Sequence, residues 1–512
     1  MRVTAEASGS EGQPWTLPEG WCWAVLGDLA NLIRGVSYKK EQSTSEYTRE
    51  KIPLLRGNNI QSGYIDNTEL IYVNSDCVSP PQILDESDII LTMSSGSISL
   101  IGKSAYFTSP SEKVTFGAFC GCLRSKDIIF ARWIYHYLQT SYYRKKISTA
   151  AKGTSLNNLK RDHLLSLPIP FCTPENIQQI CHEVDRLMAE VENGEAALED
   201  ARKGLETFRR ALLKSAVTGE LTREWRENNQ PNETGHDLLA RIKGERDATS
   251  SKGRSKRAAA SQPLDTSELP ELPEGWAWAR ISDVGVVQLG RQRSPQHHQG
   301  DNMHRYLRVA NVFEDRIELG DVKEMNFTPS ELETFELRRN DILLNEGQTP
   351  DLLGRSAMWR SDERGMCFQN TLLRFRATEP MEPEFCLLVF RYYLHAKRFK
   401  QESQITTNIA HLSSGRFSVI EFPVPPIDEQ REIVRQALTA LDSTVDAKLV
   451  FEQQKADAAR LRQAILKSAF EGTLVPQDSS DEPASAMLER LKQSAPTTKA
   501  GHRGRGKARH GG

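Results

Sequence analysis

The chain has 512 residues, 38% apolar and 26% charged, with 66 Lys+Arg against 68 Asp+Glu for a net charge of -2. That length predicts two to four domains of roughly 100–200 residues each, and the composition excludes a disordered chain or one with an apolar run of the ~18 residues a membrane span needs. The charge balance excludes a uniformly basic nucleic-acid binder, so any DNA surface must be a local patch balanced by acid elsewhere.

Residues 1–16 carry no apolar signal core and are expected to be a disordered start of a cytoplasmic protein. Internal repetition begins at residue 17. LPEGWCWAVLGDL at 17–29 returns as LPEGWAWARISDV at 272–284, and LLRGNNI at 54–60 as YLRVANV at 306–312. DIIL at 88–91 returns as DILL at 341–344, and IGKSAYF at 101–107 as LGRSAMW at 353–359. LPIPFCTPENIQQI at 167–180 answers FPVPPIDEQREIV at 422–434, and ALLKSAVTGEL at 211–221 answers AILKSAFEGTL at 464–474. The offset stays between 252 and 255, so the chain is a tandem duplication of a unit of about 250 residues. Segments between the blocks, such as 36–50 against 291–304, match poorly: one scaffold carries two different variable surfaces.

Residues 17–170 and 272–426 read as mixed α/β, with short β-rich runs (KIPLLRG, ELIYV, DIILTM) bounded by Gly, Ser and Asn. Within the first, GSISLIGKS at 96–104 has five residues between its glycines where a phosphate loop needs four, and reads as a turn. Ser79-Pro80-Pro81-Gln82 lacks the aromatic that stacks on a flipped base in amino-methyltransferases, and no glycine-rich cofactor loop precedes it. Cys120 and Cys122 are the one close cysteine pair among eight, and His297-His298 are adjacent rather than at ligand spacing, so no metal site is expected and the thiols should be reduced. No nucleophile–base arrangement is detectable.

Residues 128–161 contain Arg132, Arg144, Lys145, Lys146, Lys152, Lys160 and Arg161 and no acid, interleaved with Phe130, Trp133, Tyr135, Tyr137, Tyr142 and Tyr143. The second copy, 385–416, has Arg391, Lys397, Arg398, Lys400 and Arg416 against Glu402 alone. The aromatics read as core and the bases as phosphate contacts, a solvated helix face being the alternative. Lys103 and its counterpart Arg355 are also available to phosphate. Amides cluster in matching places: Asn58 and Asn59 against Asn311, and Asn157 and Asn158 against Asn408, with Asn345, Gln348, Gln369 and Asn370 added in the second copy. Such amides read adenine edges and Arg reads guanine, as Arg56 and Arg308 beside them would; for any single amide, capping a turn is the competing role.

Residues 171–230 and 427–475 read as helical spacers. Ile177, Ile180, Val184, Leu187, Val191, Gly194, Leu198, Ala201, Leu205, Phe208 and Leu212 step by 3 and 4 as a heptad seam. Ile433, Ala437, Ala440, Thr444, Ala447, Phe451, Gln454, Ala458, Leu461 and Ile465 repeat the spacing, with Ala, Thr and Gln in the seam. Covalent linkage favours pairing of the two helices with each other, antiparallel, over separate intermolecular coiled coils. Residues 231–271 are expected to be a flexible linker, with 244–262 lacking an apolar face, and residues 476–512 a disordered basic tail.

The LPEGW starts, the LP-x-P and FPVPP elements, the PENIQQI and DEQREIV helix starts and the KSAVTGEL and KSAFEGTL helix ends together resemble the specificity (S) subunit of type I restriction–modification systems, over residues 17–475. The resemblance implies two α/β target-recognition domains separated by an antiparallel pair of long coiled-coil helices, with pseudo-twofold duplication. Each domain would read one block of a bipartite double-stranded DNA target while the helices set the spacer. The chain itself would be non-catalytic. It would dock two modification subunits that bring S-adenosylmethionine, and restriction subunits that use ATP and Mg. By the same resemblance GTSLNNLK (153–160) and TTNIAHLS (406–413) lie near the DNA, which singles out Lys152, Thr154, Asn157 and Lys160, and Thr406, Asn408 and His411. A coiled-coil protein-binding scaffold without DNA specificity is the alternative.

Overall fold

The computed structural model describes residues 14–61, 63–108, 113–151, 157–250, 264–406, 409–477 and 482–494. The chain divides into two units, one of residues 1–197 with 453–512 and one of residues 198–452. Each combines a mixed α/β domain with parts of two 44-residue helices, Pro174–Val217 and Ile427–Phe470. No helix among the described residues is long and apolar enough to cross a membrane.

In the first unit the central sheet runs Ala30–Arg34, Cys120–Ser125, Ile89–Thr92, Ser104–Tyr106, all antiparallel. Every residue of Ile89–Thr92 is buried, as expected of a central strand covered on both faces. The second unit repeats the order with Gly285–Leu289, Leu372–Ala377, Ile342–Asn345 and Ser356–Met358. A further sheet in each unit ends on a short parallel strand, Thr115–Phe116 beside Lys51–Leu55 and Cys367–Phe368 beside Met303–Leu307. The proline-rich segments Pro168–Phe171 and Glu421–Val424 each form an edge strand, where a missing N–H costs no ladder bond, against Cys22–Val25 and Ala277–Arg280. Trp133 and Tyr137, from the basic window, are buried in the first core with Ile177, Ile180 and Val184 of the long helix.

Within the first unit, Ile465, Leu466, Ala469 and Phe470 of the second long helix share that same core, and Arg462 Nη2 reaches Glu195 Oε2 at 2.5 Å. Within the second unit, Leu212, Leu213, Ala216 and Val217 share a core with Ile433, Ala437 and Leu441. The strict heptad seam does not persist along the helices. Ile180, Val184, Val191, Leu212, Ile433, Ala437 and Ile465 are buried, and Leu187, Leu198, Leu205 and Phe451 half-buried, but Phe208 and Leu461 are 48% and 51% exposed. A helix of 3.6 residues per turn drifts about 20° per heptad from a 3.5 repeat. Near its ends each helix therefore buries the face its domain core selects.

Two expectations need correction. The segment 231–271 is not linker throughout, because Gly235–Ser250 is a helix that buries Leu238 and Ile242 in the second core. Nor is 476–512 tail throughout: Ala484–Ser494 is a helix with Ala484 and Leu488 buried in the first core. These two helices are a further repeated element. Gly235 N donates to Gly275 O at 2.7 Å, and Ala484 N to Gly20 O at 2.9 Å, so each helix starts on the glycine of an LPEGW block. Their apolar positions are too few and too short in span to stand out from the polar flanks. Residues 251–263 and 495–512, which hold the basic linker core and tail, lie outside the described residues.

Gly219 and Gly472 end the two long helices with φ of +75° and +70°, the left-handed turn that favours glycine. A Cβ on Gly219 would lie 2.5 Å from Pro273 Cγ, and one on Gly472 2.3 Å from Pro18 Cγ. Both LPEGW blocks thus pack directly against a helix end.

Candidate nucleic-acid interface

At one end of the central sheet of each unit, four chain segments are pinned together by backbone hydrogen bonds. In the first unit Gly117 N donates to Leu55 O (2.9 Å), Cys120 N to Gly117 O (2.8 Å), Met93 N to Phe119 O (2.8 Å) and Leu159 N to Met93 O (2.8 Å). In the second, Gln369 N donates to Leu307 O (2.9 Å), Leu372 N to Gln369 O (2.9 Å), Glu346 N to Thr371 O (3.0 Å) and Leu412 N to Glu346 O (2.8 Å). The same frame is built twice, and the side chains on it differ.

The amides Asn59 and Asn311 turn out to be turn supports. Asn59, 1% exposed, accepts from Arg56 N and donates to Asp66 O and Thr68 O. Asn311, 2% exposed, accepts from Arg308 N and donates to Glu318 O and Asp321 O. With its bonding capacity used inside the protein, neither is free to read a base. Asn345 is fully buried, with both amide atoms unpartnered in the interior, which also removes it from an accessible surface. Asn157 donates to Gly96 O at 3.1 Å, within the ladder that pairs Asn157–Asn158 with Ser94–Ser95. Asn58 is exposed, and Gln348 and Asn370 are half-buried.

The basic window is neutralised more than its sequence suggests, because the acids come from elsewhere in the fold. Arg132 forms a two-pronged pair with Asp185, and Arg144 holds the carbonyls of Ile101 and Ser99. Arg161 donates to Leu32 O. In the second copy Arg391, 1% exposed, pairs with Glu314 and Asp315, and Arg398 with Glu421 and Glu402. Burial alone would raise the Glu314 carboxyl, but His395 and Arg391 together outweigh it and hold it down to about 2. Arg132, Arg391 and Arg398 spend their charge on these ion pairs and are withdrawn as phosphate contacts, whereas Arg144 and Arg161 hold only carbonyls and keep theirs.

Lys145, Lys146 and Lys160 stay exposed, Lys146 with its ammonium 5.6 Å from the Tyr142 ring centroid. Lys103 Nζ donates to Gln61 Oε1 at 3.3 Å, and Arg56 to Glu69 O. Arg308 is paired with Asp321 and Lys397 with Asp351. Arg355 lies over the Phe313 ring with its Nε buried and unpartnered; that burial lowers its pKa. His411 is exposed beside Glu346, on the strand that pairs with Gly347–Gln348. Thr406 lies in the strand Gln404–Thr406. Lys152, Thr154 and Asn408, like the side chain of Thr406, lie outside the described residues.

The motifs set aside as chemistry fold as turns or core. Residues 96–103 form the turn before Ser104–Tyr106, and Pro80–Gln82 a short 3-10 turn closed by Ser79 on Gln82. Burial pushes the Cys120 thiol up to about 12, which keeps it an unreactive thiol at neutral pH. Among the described residues no group of three His, Cys, Asp or Glu could hold a metal ion.

A family model described as the type I restriction modification DNA specificity domain matches residues 18–199 and again 273–449. Over 490 residues the chain is 30% identical to the type I restriction enzyme EcoKI specificity subunit of Escherichia coli strain K12, covering 93% of this chain and 96% of that one. It is also 30% identical over 497 residues to the StySPI specificity subunit of Salmonella potsdam, with the same coverage. Its fold matches that of the HsdS subunit from Thermoanaerobacter tengcongensis at a TM-score of 0.50 and 18% identity, over 91% of this chain and all of that one. A chain from structural work on assembly and conformational transition of the type I R-M system matches at a TM-score of 0.62 and 17% identity, over 90% of this chain and 100% of the other.

Proposed function

We propose a division of labour for this chain, which belongs to the family of type I restriction–modification DNA specificity subunits. It is the subunit that gives a type I restriction–modification complex its DNA sequence specificity. Residues 17–170 read one half of a bipartite target in duplex DNA, and residues 272–426 read the other. The two long helices pair antiparallel in a pseudo-twofold arrangement and fix the length of the unread spacer. Ile465 and Phe470 near the end of one helix share a core with Ile177 and Ile180 near the start of the other, and Leu212 and Val217 share one with Ile433 and Ala437, which supports that direction of pairing.

Two modification subunits dock on the helices and bring S-adenosylmethionine. Restriction subunits use ATP and Mg, and the chain itself carries no catalytic step. It works in the cytoplasm, where the DNA is. Asn58, Lys145, Lys146 and Lys160 in the first domain, and Gln348, Asn370 and His411 in the second, form the accessible part of the reading surfaces.

The observation that carries this reading is the hydrogen-bonded frame built twice with different side chains: the backbone geometry is held constant while the surface offered to a ligand changes. Methylome sequencing of a host carrying the chain and its modification partner tests it. A split, adenine-methylated motif that disappears on deletion is expected. Exchanging residues 17–170 for the corresponding domain of another specificity subunit should change one half of that motif and leave the spacer and other half intact. Loss or change of both halves together would refute the assignment of one domain to each half.

A further inference from the structure

The frame's two tips differ in chemistry in a way that selects a base-edge feature. In the first unit the tip is Ala118-Phe119, exposed between the buried Gly117 and Cys120. Phe119 is 64% exposed although its backbone is pinned: its carbonyl accepts from Met93 N at 2.8 Å and Ser94 N at 3.1 Å. A large apolar ring left in water forgoes the burial that would stabilise it, and there it contributes nothing to the core.

Its surroundings are polar. The adjoining ladder Ser94–Ser95 with Asn157–Asn158 carries a 2.8 Å bond from Ser94 Oγ to Asn158 Oδ1, and Lys160 follows. In the second unit the same tip is Asn370-Thr371, and Thr371 Oγ1 is tied back to Val309 N at 3.2 Å. One frame thus offers an apolar ring and its duplicate a polar tip.

We infer that Phe119 is a specificity-determining residue of the first domain, making apolar contact with the 5-methyl group of a thymine in the major groove of its half-site. The inference rests on the assignment of residues 17–170 to one half of the target. Thymine is singled out because its methyl is the largest apolar group on the major-groove base edges, where cytosine offers only a C5–H. The pinned backbone presents the side chain from a fixed main-chain position, which lowers the ordering cost of a contact there.

The test uses the full chain assembled with its modification subunits on a duplex carrying the methylome-defined site. Each thymine of the first half, on either strand, is replaced in turn by deoxyuridine, which removes only the methyl group. At one position the wild-type complex should lose about fourfold in affinity, the equivalent of one methyl left unburied. Phe119→Ala should weaken binding to the natural site and no longer distinguish thymine from uracil there, whereas Phe119→Leu should retain part of the discrimination. Indifference of the wild type to uracil at every position overturns the inference, as does a Phe119→Ala complex with the wild-type thymine-to-uracil ratio. In either case wild-type binding that still prefers the defined site over scrambled DNA leaves the domain assignment standing; absence of that preference removes both.

Discussion

Trp276 Nε1 donates a 2.9 Å hydrogen bond to Glu429 Oε2, tying the start of the second recognition domain to the first turn of a long helix. The Glu429 side chain is fully buried and also accepts from Thr222 Oγ1 at 2.7 Å and from Arg226 Nε and Nη2 at 3.0 and 2.8 Å. One carboxylate therefore fastens a helix start, the segment after the other helix's end and an LPEGW block. In the first unit Asn176 stands at the matching position and Trp21 Nε1 donates instead to Gln477 Oε1. Glu429→Ala strands a partly buried guanidinium and should destabilise the second unit by about 3–5 kcal/mol, measured by urea unfolding of the full chain. Asn176→Ala has no charge to strand and should cost less; equal losses would contradict this account.

Asn59→Ala and Asn311→Ala should reduce stability without altering the target. Each deletes three hydrogen bonds at a buried turn and leaves backbone groups unsatisfied, at a cost of about 1–3 kcal/mol. Thermal unfolding together with methylome sequencing separates the two effects. A changed motif with unchanged stability would return these amides to the reading surface.

Replacing Lys145, Lys146 and Lys160 together by Ala should weaken binding to specific and scrambled DNA alike. The slope of log affinity against log salt should shrink by about 0.9 for each phosphate that is no longer neutralised. An unaltered slope would remove these lysines from the interface.

The His136–Asp185–Arg132 cluster makes the first unit sensitive to acid. His136 Nε2 lies 3.0 Å from Asp185 Oδ1. Burial outweighs the neighbouring carboxylate and lowers the imidazole pKa, so a neutral ring faces an ionised carboxylate. Burial alone would raise Asp185, but His136 and Arg132 together outweigh it and hold the carboxyl below its ordinary 3.8. Both folded values are depressed. The unfolded chain takes up the His136 proton first as pH falls through 6.5, and the Asp185 proton as it falls through 3.8. Stability is fully present above these values and declines on the acid side of each. His136→Gln should flatten the part of the decline that begins below about pH 6.5, followed by chemical unfolding across pH; an unaltered profile would exclude His136 as its source.

The sequence by itself determined the duplication, the mixed α/β class, the family and the long helices, because each is written locally: in repeated strings, in 3-and-4 spacing, in prolines and glycines at element ends. Lys145 and Lys146 could be read as exposed because two adjacent ammonium groups in a window without acids have no local partner to offset the cost of burial. Only the tertiary structure decided the rest. Asn58 and Asn59 are adjacent and chemically identical, yet one is exposed and the other spends its amide on Asp66 and Thr68, carbonyls 7 and 9 residues away. Arg132 looked unopposed until the fold brought Asp185 to it from 53 residues along the chain. Nothing in the sequence sets Phe119 apart from the buried aromatics, and only the fold leaves its ring 64% exposed. Hydrogen bonds and ion pairs saturate through space at about 3 Å, whatever the separation along the chain, and composition and spacing carry no information on which distant partner arrives first.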